Sequence, residues 1–422
     1  MASILIKNAL TVTQDAERNI RIANILIEGN RISGVNGKTQ DADRVIDATG
    51  MIAIPGLINT HAHVAMSHLK GKLDDISLES FLEKTFSLDG ERTESGIYNS
   101  SRLGIDEMIT NGITSFADLY YSEDVISKAV EDSGIRGFLS WNTLDEEFTT
   151  QKGNPVKNAD HFISTHSGRE LVYPSVGVQG IYVSSDENYF RVREVAERHG
   201  TIIHTHLAET RKEVYDYVRK SNGKRPTEHL NEIGFLNPKV LAAHSVWVTL
   251  SEIRQMARNS VKVSWNSISN GKLGVGGIAP VPEMLESGIT VSVGTDSSGS
   301  NNSLDMFEAM KFSALWIKND RWDPAIIAAQ TILDMCTVNA AKALDHGDLL
   351  GSIEQGKLAD IVLIDSRMPN LMPTKAENAV SNIVYSANPS NVKYVLVNGS
   401  VLKDNGALVK PFAGVQSEQE FY

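Results

Sequence analysis

Between about residues 55 and 300 strand-like and helix-like segments alternate, and this order limits the fold more than any other feature of the chain. It is the order that parallel strands joined by crossover helices require. After an apolar run that stops at His61, strands are expected at 113–119, 135–141, 171–179, 201–207, 240–244, 261–266 and 289–296. Helices are expected between them at 94–110, 123–133, 185–199, 209–220 and 250–259, several starting beside Ser, Thr, Asp or Glu. Eight strands favour a closed (β/α)8 TIM-like barrel, an α/β fold whose site lies at the carboxyl ends of the strands. Residues 303–344 read as further helices over that end or the flank.

The two chain ends are of a different kind. Short strands are expected at 4–6, 10–13, 24–28 and 31–35, and strand-like runs return at 359–365 and 392–402. Neither end is long enough to bury a core alone, and packing them together closes a small β-sandwich. The chain is therefore divided into 1–54 and 351–422, the two parts of a small β-domain, and 55–350, the barrel inserted between them.

The strand ends carry the chemistry. Side chains alternate along a strand, so His61 and His63 point the same way at the end of the first. The fifth ends His204-Thr-His206-Leu-Ala-Glu209, the sixth at His244 and the eighth at Asp296. Four of eight strand ends thus offer groups suited to metal or proton chemistry. His204 shares a face with His206 and reads as a supporting residue. His68, His161, His166, His199, His229 and His346 fall elsewhere and read as surface or packing residues. The lone cysteine, Cys336, excludes an intrachain disulfide and a cysteine-rich zinc site, so histidine and carboxylate must hold any metal. A formal charge of −12 argues against general affinity for nucleic acid and leaves a small molecule as the expected partner. No apolar run reaches the length of a membrane span, and the first residues lack the pattern of a signal peptide, so a cytoplasmic protein is expected.

At these residues the chain resembles the amidohydrolase superfamily, in particular its mononuclear aminohydrolase and chlorohydrolase branch with the 5′-methylthioadenosine/S-adenosylhomocysteine deaminases. The resemblance is carried by Pro55-Gly-Leu-Ile-Asn-Thr-His-Ala-His63, His206-Leu-Ala-Glu-Thr210, Ala243-His244, Gly294-Thr-Asp296 and Ser300-Asn-Asn-Ser-Leu-Asp-Met306. It extends to residues 351–365 and so spans nearly the whole chain. It implies metal ligation by His61, His63, His206 and Asp296, with Glu209 as proton shuttle and His244 beside the attacking water. It also implies a hydrolase acting on the carbon–nitrogen bond of a cyclic amidine, with ammonia leaving. Two-metal relatives bridge their ions with a lysine from strand four, and residues 173–182 contain none, so one divalent ion is expected, zinc first and iron as the alternative. The architecture often forms homodimers.

The specificity residues depart from the pattern. Gln179 stands where nucleoside deaminases of this branch place a histidine, and Trp141 or Asn142 stands near the position of an arginine in relatives. Phe81 is the candidate aromatic residue after strand one, and Asp89 or Glu91 the candidate carboxylate for ribose hydroxyls. A 5′-modified adenosine is the leading substrate. The alternatives are a free base or pterin, a triazine-type chlorohydrolase reaction, and a metal-binding protein without catalysis.

Overall fold

The computed structural model of the protein describes residues 3–36, 41–76, 78–89 and 92–422. The alternating middle of the chain forms a parallel sheet of eight strands, each paired with the next in sequence. They are Leu57–Ala62, Ile113–Tyr120, Arg136–Thr143, Val172–Val178, Ile203–Leu207, Val240–His244, Lys262–Trp265 and Val291–Val293. Helices Glu94–Thr110, Glu123–Ser133, Pro155–His166, Asp186–His199, Arg211–Lys220 and Leu250–Arg258 fill crossovers. In Glu123–Ser133 the buried residues Val125, Ile126, Ala129 and Val130 recur at helical spacing, and Gly134 at φ 83° ends the helix in the left-handed conformation. The helix at Pro155–His166 is an addition to those expected. Its start is marked by Asn154, which accepts the Lys157 N–H, and by Pro155 at the first helical position.

The eighth strand is only three residues long, shorter than the segment expected there. The seam between it and the first strand is closed by individual hydrogen bonds. Asp296 N–H donates to the His61 carbonyl at 2.9 Å, Thr60 Oγ1 to the Val293 carbonyl at 3.0 Å, and Thr295 N–H to Asn59 Oδ1 at 3.0 Å. Gly294 permits the approach, since a Cβ there would lie 2.8 Å from the His61 backbone nitrogen. The barrel is near-closed, and its seam lies directly beneath the histidines of strand one.

Both chain ends build one separate, mainly antiparallel sheet of nine strands. Met51–Pro55 from the front of the chain pairs antiparallel with Ile361–Asp365 from the back, which joins the halves. Along these two strands the faces alternate. Ala53, Ile361 and Leu363 enter a cluster with Ile4, Ile6, Ile25 and Ile27, whereas Ile52, Ile54, Val362 and Ile364 join the barrel core. Both faces are covered, so a one-residue slip would exchange the two cores. The sandwich is thus built from one continuous sheet around its inner cluster. The strands expected at 4–6 and 10–13 are one strand, Ser3–Val12, which ends before Thr13 and whose register shifts between Ile6 and Ala9 with Asn8 at φ 61°. Cys336 is buried just past helix Ala329–Met335. Among the described residues no helix is long and apolar enough to cross a membrane.

Candidate active site

At the carboxyl end of the barrel three imidazole Nε2 atoms converge on one carboxylate. His61 Nε2 lies 3.6 Å and His63 Nε2 3.3 Å from Asp296 Oδ1, and His206 Nε2 lies 3.4 Å from His63 Nε2. The opposite nitrogens are pinned. His63 Nδ1 donates to the Leu119 carbonyl and His206 Nδ1 to the Gln179 carbonyl, each at 2.6 Å. His61 Nδ1 contacts His204 Nε2 at 2.9 Å. A ring that donates through Nδ1 presents its lone pair at Nε2, which is how second contacts orient metal-binding histidines. His61 Nε2 is buried and has no hydrogen-bond partner in the protein. Burial, then the surrounding imidazoles, hold His61 and His206 well below the ordinary imidazole range, so both stay neutral. His61, His63 and Asp296 form one group able to hold a divalent cation and His61, His206 and His244 another, with His61 common to both and its Nε2 orphaned.

Asp296 leaves the eighth strand at φ 67°, in the left-handed region. Its Oδ1 accepts the Ser297 N–H at 2.7 Å and its Oδ2 the Ser269 hydroxyl at 2.6 Å. Burial alone would raise its pKa, but the hydrogen bond and charge of His63, the charge of His244 and the Ser269 bond outweigh it and hold the carboxyl well below the usual range. His244 and Ala208 also sit at positive φ, 70° and 47°. Non-glycine residues in that conformation carry a cost that surrounding structure must sustain, and they gather at functional sites.

Glu209 follows the fifth strand and precedes helix Arg211–Lys220. Thr210 and Glu213 form a capping box there, with Glu213 N–H donating to Thr210 Oγ1 at 3.0 Å. The Glu213 carboxylate accepts the N–H groups of Ala208 at 3.1 Å and Glu209 at 2.8 Å, which fixes the turn and leaves the Glu209 side chain facing the cavity. Burial, then the charges of Asp296 and Glu213, push Glu209 well above the usual carboxylate range and favour the protonated acid. Glu209 Oε1 lies 3.8 Å from His244 Nδ1. Asn270 and Asn266 amide groups approach the same nitrogen at 2.9 and 3.2 Å. With those amides donating, the His244 proton sits on Nε2, 4.0 Å from Asp296 Oδ2. Burial lowers the His244 pKa to about 4 against the pull of Asp296.

His63, His206, Glu209, His244 and Asp296 line a cavity of about 560 Å³. Its walls include Phe81, Asn142, Gln179, Tyr182 and residues of helix Arg211–Lys220. Gln179 contributes twice, its carbonyl holding His206 and its side-chain amide donating to the Tyr182 hydroxyl at 2.9 Å while accepting from Asn142. Trp141 is not among the lining residues. Its indole N–H donates to Gln151 Oε1 at 2.9 Å and its ring packs on Phe162, so Asn142 is the neighbour that faces the cavity. The side chain of Asp89 and the whole of Glu91 lie outside the described residues. Of the other histidines, His199 and His229 pair with Asp160 and Asp186, each at 2.7 Å, and His346 packs against Phe138 and Tyr173. Ser269, Asn266, Asn270 and the carbonyls of Leu119 and Gln179 were not foreseen. Among the supporting groups the sequence signals are the His204-x-His206 spacing and the Thr210-x-x-Glu213 pattern.

The Amidohydrolase family model matches residues 52–402. A 5′-deoxyadenosine deaminase of Methanosarcina mazei is 40% identical over 408 residues, covering 95% of this chain and 93% of the relative. A 5-methylthioadenosine/S-adenosylhomocysteine deaminase of Thermococcus sibiricus is 39% identical over 406 residues, covering 95% and 94%. The crystal structure of an adenosine deaminase from Xanthomonas campestris with bound zinc superposes with a TM-score of 0.92 at 26% identity, covering 97% of this chain and 94% of that one. Shared fold, full-length similarity and a matching domain model lead to one conclusion: the chain belongs to the amidohydrolase family.

Proposed function

We propose that the protein is a metal-dependent hydrolytic deaminase that converts a 5′-modified adenosine to the inosine derivative and ammonia. The observation that carries this reading is the placing of Glu209, whose raised pKa favours the acid, 3.8 Å from His244 beside the histidines and Asp296, on the wall of a cavity of about 560 Å³. The relatives named as deaminases of 5′-deoxyadenosine and of 5-methylthioadenosine or S-adenosylhomocysteine support the substrate class.

His61, His63, His206 and Asp296 would hold one divalent ion, with zinc as the first choice. When bound there, such an ion acidifies water enough to furnish hydroxide near neutrality. Asp296 Oδ2, steadied by Ser269, takes up the proton of the attacking water. His244 orients that water through its Nε2–H. Glu209 donates its carboxyl proton to the ring nitrogen beside the carbon under attack, then takes the hydroxyl proton of the adduct and passes it to the amine as the carbon–nitrogen bond breaks, and the proton held by Asp296 restores the Glu209 acid. Both roles need an acid whose pKa is raised towards neutrality, which burial beside Asp296 and Glu213 supplies. Phe81, Gln179, Asn142 and Tyr182 form the wall against which the base and sugar would lie. Helix Arg211–Lys220 runs outward from Glu209 with Lys212, Asp216 and Lys220 on the cavity, which suits a substrate extended by a polar 5′ substituent.

The test is ammonia release from metal-replete protein offered 5′-deoxyadenosine, 5′-methylthioadenosine, S-adenosylhomocysteine, adenosine, cytosine, guanine and an aminopterin. Turnover of the 5′-modified adenosines is expected. Turnover of a free base or pterin with none of any adenosine would overturn the substrate assignment.

A further inference from the structure

A neutral imidazole carries one ring proton, so a histidine that binds metal through Nε2 must carry that proton on Nδ1. His63 and His206 meet this condition against backbone carbonyls. A carbonyl can only accept, so the tautomer of those two rings is fixed outright. His61 is different. Its Nδ1 faces another imidazole nitrogen, Nε2 of His204, at 2.9 Å, and both rings are fully buried. An imidazole nitrogen can donate or accept. If His204 carried its proton on Nε2, it would donate into His61, force the His61 proton onto Nε2 and close that atom to a metal. If the His204 proton sits on Nδ1, the hydrogen bond runs the other way and His61 Nε2 is open.

The approach of His61 Nε2 and His63 Nε2 to the same Asp296 oxygen favours the second arrangement, since His61 Nε2 is buried without a hydrogen-bond partner and lies 3.6 Å from Asp296 Oδ1, as a lone pair held for a cation would. His204 then carries its proton on Nδ1 and presents a bare Nε2 to His61 Nδ1. We propose that His204 is a positioning residue for the metal centre, whose Nε2 accepts the His61 Nδ1–H and so holds His61 in the tautomer and orientation that bind metal. The proposal rests on the metal-binding part of the function above and is independent of the substrate.

Zinc affinity, measured by competition with a chromophoric chelator, separates this role from packing. His204→Gln retains an acceptor close to the position of Nε2, and His204→Met fills similar space without one. The expected result is an affinity for zinc about 10–100-fold weaker in His204→Met than in the wild type, with His204→Gln recovering most of the loss. Equal affinities in His204→Met and His204→Gln would overturn the proposal. Nitrogen-15 spectra of the zinc-loaded, histidine-labelled wild type decide the same point without a substitution. A proton on His61 Nδ1 opposite a bare His204 Nε2 is expected, and a proton on His204 Nε2 would contradict it. Neither readout depends on turnover, so failure of the deaminase reading leaves this test intact.

Discussion

Glu209 and its neighbours show how much a site depends on groups that do not react. The residue is acidic in the right place because Glu213 spends its carboxylate on the turn and because burial beside Asp296 discourages a further charge. Glu209→Gln keeps the size and polarity but removes the exchangeable proton. It should retain metal, as elemental analysis would show, while turnover falls about 10²–10⁴-fold. Loss of the metal from that variant would mean that Glu209 is a ligand. The reacting residues were legible because histidines and carboxylates at strand ends are rare enough to notice. Most of the groups that aim them were not, His204 excepted. Leu119 and Gln179 act through backbone carbonyls, which every residue has, and Ser269 and Asn270 come from a short helix with no motif of its own. Trp141 and Asn142 differ by one position on a strand, and the alternation of faces sends only Asn142 to the cavity.

Among the elements, the helices behind the strands followed from periodicity and caps, with Glu94–Thr110 and Glu123–Ser133 found at the expected bounds. Strand ends were less legible, since the pairing that ends a strand lies on a distant segment. The short eighth strand and the bulge at Asn8 are both of this kind. Helix Arg211–Lys220 extends along the cavity with exposed Lys220 at its far end. Lys220→Ala should raise KM for S-adenosylhomocysteine about two- to fivefold, the worth of an exposed charge pair, and leave 5′-deoxyadenosine unaffected. Equal effects on both substrates would count against a role for this helix in reading the 5′ group. The short helix Val64–Leu69, directly after His63, carries His68, which is buried under Phe421 and Tyr422 near the chain's end. Burial, then Arg92 and Lys72, lower the His68 pKa to about 3 from its ordinary 6.5. The unfolded chain therefore binds one more proton than the folded protein between those values. Stability from this group is complete above pH 6.5 and declines as pH falls toward 3, by up to about 1.4 kcal/mol per pH unit. A His68→Gln variant should show a shallower acid decline in melting temperature than the wild type; parallel curves would refute this contribution.

For the whole molecule, the barrel and the sheet of chain ends share a core through Ile52, Ile54, Val362 and Ile364 and are tied by a buried ion pair. Arg136, at the start of the third barrel strand and fully buried, donates to Asp360 at 2.9 and 3.3 Å, and Asp360 also accepts the Asn398 N–H. Removing one partner strands a charge. Arg136→Leu should cost about 3–5 kcal/mol in denaturant unfolding, and the double variant with Asp360→Leu should recover part of it. An unchanged midpoint in the single variant would show that the pair does not couple the two parts. The global plan was readable because eight alternating units and two strand-rich ends leave few ways to bury apolar surface. The joining of those ends into one continuous sheet was not, because it depends on long-range pairing between residues 51–55 and 361–365. Hydrolytic deamination of a 5′-modified adenosine at this site is measured by mass analysis of the product formed from 5′-deoxyadenosine in heavy-oxygen water. The expected product is 5′-deoxyinosine carrying one solvent oxygen, released with an equal amount of ammonia and lost on chelation of the metal. Release of free adenine, or a product without solvent oxygen, would contradict it.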